Sequence, residues 1–119
     1  MVNVSSYAIL SGTELNINLL KNSFKDYSIG KDVVETRNFL VYAQNKAVGK
    51  NLPLYDFLQA LSDKADSLKK MGVVEIDIYV NLEYLDQCNW ELNREELSIL
   101  NRIEATLSIT AYRSEETHT

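Results

Sequence analysis

Hydrophobic side chains recur along this chain with two periods, and the switches between them mark its elements. Over residues 2–10 the period is two, with Val4, Ala8 and Leu10 on one face and Asn3, Ser5, Tyr7 and Ile9 on the other, which predicts a strand. Ser11 then stands at capping-box spacing before Glu14, with Thr13 as an alternative N-cap, and Ile17, Leu20 and Phe24 follow at helical spacing. Residues 26–31, which include Gly30, read as a turn. Between residues 33 and 44, Phe39, Val41 and Ala43 alternate against Leu40 and Tyr42, giving one long strand or two short ones.

Residues 47–52 form a polar loop around Gly49, and Pro53 occupies a position that a first helical turn tolerates. Leu54, Phe57, Leu58, Leu61, Ala65 and Leu68 then hold a three/four spacing through one helix of four turns. Asp56 suits its start, Lys69 and Lys70 suit its end, and Gly72 is placed to close it. A strand over residues 73–85 puts Val74, Ile76, Ile78, Val80 and Leu82 opposite Glu75, Asp77, Tyr79, Asn81 and Glu83. Residues 86–90 read as a turn or short hairpin arm. Asn93 and Glu96 repeat the capping-box spacing before a short helix carrying Leu97, Leu100 and Ile103. The last strand covers residues 106–112, with Leu107, Ile109 and Ala111 opposed to Thr106, Ser108, Thr110 and Tyr112, and residues 114–119 are expected to fray.

The order is therefore β-α-β(β)-α-β-α-β. Strands in a sheet covered on both sides would be apolar on both faces, whereas these alternate, so the expected class is α+β. It is an open-faced sandwich with the helices on one face of a mostly antiparallel or mixed sheet. The uncovered face would present Tyr7, Ile9, Glu75, Asp77, Tyr79, Glu83, Thr110 and Tyr112. A length of 119 residues suits a single domain, over residues 1–113, and 45% hydrophobic with 24% charged side chains excludes a disordered chain.

The segments SGTELNINLLKNSF, LYDFLQALSDKADSLKKMG, VVEIDIYV and WELNREELSILNRIEATLSITAYR, in this order, resemble a family of small bacterial domains without assigned function, catalogued as domain of unknown function four-two-seven-nine. The likeness covers most of the chain and rests on hydrophobic pattern and element order. Residues 30–50 depart from it, lacking the tryptophan and charged turn common there. The resemblance implies no catalytic residue. By class, small acidic chains of this kind also resemble the immunity proteins that bacteria encode beside secreted toxins.

Charge changes the picture further. Residues 1–74 carry nine basic and seven acidic side chains, but residues 75–96 carry seven acidic ones against Arg94 alone, so the net charge of −5 comes mainly from one segment. Such a field attracts basic partners and repels phosphate backbones, which argues against direct nucleic-acid binding. A solvated acidic face is the simpler alternative. No apolar run approaches a membrane span, no basic segment leads an apolar stretch, and the single cysteine, Cys88, fits a reducing compartment, so a soluble cytoplasmic protein is expected.

Candidate chemistry is sparse. The one histidine, His118, lies in the tail, which excludes a hydrolytic triad, and Cys88 has Asp86 rather than a cation beside it in sequence. Glu75 and Asp77 project from one strand face about 6.5–7 Å apart, close enough for a metal or a glycosidase-like pair, but no third ligand is identifiable. The glycines are too far apart to cradle a phosphate. No cofactor and no enzymatic activity are expected. Of the seven tyrosines, Tyr27, Tyr42, Tyr55 and Tyr84 suit strands and core rims, whereas Tyr79 and Tyr112 face away from the apolar side. Trp90 either closes one end of the core or stands out as an anchor.

The expected partner surface is Glu75, Asp77, Tyr79, Glu83, Asp86, Trp90, Glu91 and Tyr112. The expected function is a non-enzymatic inhibitor, most concretely an immunity protein that neutralises a basic toxin domain. The alternatives are a phage-encoded inhibitor of a host defence complex, a small-ligand sensing domain, or an enzyme working through Glu75 and Asp77.

Overall fold

A computed structural model describes residues 2–30 and 37–114. The elements are β1 (Val2–Ser11), α1 (Ile17–Ser23), β2 (Tyr27–Ile29), β3 (Asn38–Asn45), α2 (Leu54–Asp63), α3 (Ala65–Lys70), β4 (Glu75–Tyr84), α4 (Arg94–Arg102) and β5 (Thr106–Arg113). They build an α+β fold around a mixed sheet of strand order β2-β3-β1-β4-β5. Every pairing is antiparallel except β4 with β5, where α4 makes the crossover that a parallel pair requires.

Alternation decides which side the helices cover. Ala8 lies opposite both Val41 and Ile78, and Leu10 lies opposite both Phe39 and Ile76, so the inward residues of the three central strands stack in apolar rows. Those rows meet Leu20, Phe24, Phe57, Leu58, Leu61, Leu68, Ile99, Leu100 and Ile103 from the helices and their ends, in one continuous core. Ser6 breaks the pattern: it is buried on this face opposite Val80, and its hydroxyl has no hydrogen-bond partner among the described residues.

Local structure departs from the sequence pattern in several places. Helix α1 is capped by Asn16, whose side chain accepts the Leu19 N–H at 3.1 Å, and not by Ser11 or Thr13. Ser11 is already committed to the sheet, opposite Asn38 and Glu75, and its carbonyl accepts the Val74 N–H at 2.8 Å. The expected turn over residues 26–31 contains instead the edge strand β2, because Tyr27 packs its ring on Phe24 and Phe57 while Ile29 pairs with Val41. Lys31 lies outside the described residues, as do residues 33–36 of the third expected strand; the described remainder is the single strand β3.

The four-turn helix is two helices, broken at Lys64, whose backbone sits at φ −96° and ψ −1° and whose N–H reaches both the Ala60 and Leu61 carbonyls. The apolar stripe continues through Leu68 regardless of the break, so periodicity alone does not register it. Gly72 closes α3 as expected. Its φ is +96°, its N–H bonds to Lys69 and that of Val73 bonds to Leu68, the paired pattern that terminates a helix. A Cβ there would also run into the Glu14 carbonyl, so glycine is required twice over.

The reversal at Gly72 delays the next strand. Strand β4 starts at Glu75, not at Val73, and Val74, placed by alternation on the apolar face, is 78% exposed. Helix α4 begins as the sequence predicts. Asn93 accepts the Glu96 N–H at 2.8 Å and the Glu96 carboxylate accepts the Asn93 N–H at 3.0 Å, a complete capping box. Ser114, the first residue of the expected frayed tail, still donates its N–H to the Tyr84 carbonyl, and residues 115–119 lie outside the described residues. Among the described residues no helix is long and apolar enough to cross a membrane.

Candidate functional site

Among the described residues, the sheet's second face is the principal feature left uncovered. Because partners in register share a face, the pairings define its rows. Tyr7 lies opposite Tyr42 on one side and Tyr79 on the other, and Tyr79 lies opposite Ser108. The Tyr7 and Tyr79 rings stack at 4.9 Å with an interplanar angle of 7°, and Tyr42 meets Tyr7 at 5.9 Å and 56°. Three adjacent strands thus set a line of phenol rings across the middle of the open face. Ring pairs at these separations stabilise one another, which holds the rings in place on the sheet.

Acidic groups flank this line on both sides. Toward one end of the sheet, Asp77 lies opposite Ile9 and Thr106, and Glu75 opposite Ser11; toward the other, Glu83 lies opposite Asn3 and Tyr112. Asp77 accepts a hydrogen bond from the Thr106 hydroxyl and is half-buried, so the expectation that it stands free in solvent fails, whereas Glu75 is exposed as expected. Glu83 accepts from the Asn3 amide at 3.2 Å. The two carboxylates of the i, i+2 pair share a face, but among the described residues no group of three or more histidine, cysteine, aspartate or glutamate side chains could hold a metal ion.

Five of the eight expected partner residues, Glu75, Asp77, Tyr79, Glu83 and Tyr112, therefore share one surface. Asp86, Trp90 and Glu91 belong to the segment that leaves the end of β4 and leads to α4. Asp86 and Glu91 are exposed there, while Trp90 is half-buried and packs against the core. Tyr42, expected in a strand or at a core rim, lies in strand β3 and is 40% exposed on the open face, the side that its alternation with Val41 and Ala43 gives it. What sequence lacked was the register that sets it beside Tyr7.

Tyr27 behaves differently from these rings. It sits on the helical side, where burial pushes its phenol above the ordinary tyrosine value, with the charges of Asp26 and Asp56 adding to the effect.

Two hollows open at the Val74 end of the sheet. One, of about 410 Å³, brings Lys69, Arg102 and Glu104 near Glu75 and Asp77. The other, of about 470 Å³, lies among Gly12, Arg37, Asn38 and Glu75. No protein-family model matches the chain, and neither the curated proteins nor the solved structures hold a match. Residue roles consequently rest on this geometry alone.

Proposed function

We propose that this chain is a non-enzymatic protein-binding inhibitor whose working surface is the open sheet face, and that its partner is a basic protein. The observation that carries this reading is the line Tyr42–Tyr7–Tyr79, uncovered among the described residues and bordered by Glu75, Asp77 and Glu83. Tyrosine offers large contact area at small entropic cost, and a rim of one charge sign steers the encounter. A toxin domain that attacks nucleic acid needs a basic groove, and an acidic face fits such a groove as a substitute for phosphate. The concrete form of the proposal is an immunity protein acting in the cytoplasm of the cell that makes the toxin.

The test is binding to the product of the gene beside its own. A tight complex is expected, with association slowed at low salt by Glu75→Lys combined with Glu83→Lys. Tyr79→Ala should weaken it by about 2 kcal/mol or more, as expected of an interface anchor. A complex indifferent to all three substitutions overturns the assignment of the face.

A second reading, a small-ligand sensing domain, draws support from the two hollows beside Glu75. Thermal melting against metals and metabolites separates the two. A ligand at a hundred times its dissociation constant adds about 2.7 kcal/mol, and a flat panel removes this second reading.

A further inference from the structure

The two edges of the sheet are finished differently. At one edge β2 has only three residues, its register with β3 shifts between Tyr27 and Ile29, and it runs into Gly30. A short, irregular edge is a usual defence against unwanted strand pairing. At the other edge β5 runs for eight residues in unbroken register with β4. Its sequence from Thr106 to Tyr112 contains no charge, no proline and no glycine. It is exposed along nearly its whole length, Ile109 at 49%, and among the described residues nothing pairs with its outer side.

We propose that β5 is a dimerisation edge, pairing antiparallel with β5 of a second copy of this chain about a twofold axis near Ile109. Three features select a second copy. First, a strand paired with itself places like beside like, and residues 106–112 bring no charged side chain to that encounter. Second, the antiparallel arrangement lays the Arg113 end of one copy by the Glu104 end of the other, so opposite charges meet at both ends of the junction. Third, the acidic residues of β4 stay apart. Between β4 and its symmetry mate lie three strand spacings of about 4.8 Å, or about 14 Å, beyond the screening length of about 8 Å at physiological salt.

The area is small. Eight residues at about 3.3 Å give a strip about 26 Å long. Both faces of β5 are exposed beyond Leu107, so only the sheet itself, about 10 Å deep, meets its copy; each contributes about 260 Å² and the pair about 500 Å², the size of a transient contact. A weak, reversible dimer that populates toward millimolar concentration is expected.

Such an axis stands perpendicular to the sheet and produces ten continuous strands with both helical layers on one side. Both tyrosine lines then face the same way. The dimer leaves the proposed partner surface free and presents it twice, so this inference does not depend on the identity of the partner.

Sedimentation equilibrium of the full chain between low micromolar and millimolar concentration provides the test. A concentration-dependent monomer–dimer equilibrium is expected. Ile109→Lys and Thr110→Lys, on opposite faces of β5, should each raise the dissociation constant at least about tenfold by setting two like charges together across the axis. Both positions are exposed, and circular dichroism and melting confirm that each variant remains folded. Leu19→Lys, an exposed position on α1, should leave the constant unchanged. A chain that stays monomeric throughout overturns the proposal. So does a dimer that survives both β5 variants, or one dissociated by Tyr42→Ala, which would put the contact on the open face.

Discussion

Ile78 and Tyr79 are neighbours in β4, and one step along the chain takes the side chain from a fully buried position to a surface no described element covers. On the inner side, Ile78 faces Ala8 and Leu107 and joins a single core fed by every helix. On the outer side, Tyr79 is half-buried and stacks on the Tyr7 ring. On the three central strands the inner face is specified many times over, since its buried residues are held by packing from both layers. The outer face is specified only by register and by ring pairs. Substitutions on it should therefore spare the fold, which frees that face to be selected for binding.

The sharpest way to break the comparison is to place a charge on each side. Ile78→Asp buries an unpaired carboxylate and should unfold the chain, at a cost above about 4 kcal/mol. Glu75→Lys with Asp77→Lys, on the other face, should lower stability by no more than about 1 kcal/mol, most of it from the lost Asp77–Thr106 hydrogen bond. Urea melts of the two variants check this, and equal destabilisation would show that the faces are not energetically distinct.

Trp90 tests the boundary of the core. Since it is half-buried against the core cluster, Trp90→Ala should remove about 2 kcal/mol, less than the roughly 3–5 kcal/mol typical of a fully buried aromatic. Its fluorescence, the chain's only tryptophan signal, should be blue-shifted and only partly quenched by iodide. Emission as red as free tryptophan would move Trp90 from the core to the list of interface anchors.

How much of this was legible in the sequence depended on how far each signal reaches. The alternation of Ile76, Ile78, Val80 and Leu82 is local, and it placed the faces of β4 from Glu75 onward, but not the exposure of Val74 beside Gly72 or the half-burial of Asp77 beside Thr106. The capping box at Asn93 is local as well, and it held. The Ser11–Glu14 spacing failed because a competing long-range bond, Val74 to Ser11, claims the backbone of Ser11 for the sheet. Strand β2 was missed because its three residues earn their place only by packing on Phe24 and Phe57 and pairing with β3. The tyrosine line was half visible: alternation pointed Tyr7 and Tyr79 outward, but their meeting with Tyr42 is set by pairings of 35 and 72 residues' separation, which no local pattern encodes.

Ser6 is a buried polar side chain on the inner face, and removing it should sharpen the contrast. Its hydroxyl lacks a hydrogen-bond partner among the described residues, so Ser6→Ala should raise stability by about 1 kcal/mol. Calorimetric melting reads the change; a loss of stability would mean that the hydroxyl is satisfied and the inner face is less purely apolar than its rows suggest. A smaller gain is expected outside the sheet at Glu104, which holds φ +53° just past α4. Glu104→Gly relieves that left-handed backbone and should add about 0.5–1 kcal/mol.

The smallest expected effect is a pH dependence on the helical side. Burial raises the pKa of Tyr27 in the folded chain above its value of 10.0 in the unfolded chain, with Asp26 and Asp56 pushing the same way. Below pH 10 the phenol is neutral in both states and no stability is lost. As pH climbs past 10 the unfolded chain releases its proton first, so the unfolded state gains and stability falls until the folded phenol also ionises. Tyr27→Phe should remove this component, flattening the decline in melting temperature between pH 9 and pH 11. A decline that stays as steep in the variant would mean that the helical side does not exclude water from the Tyr27 phenol.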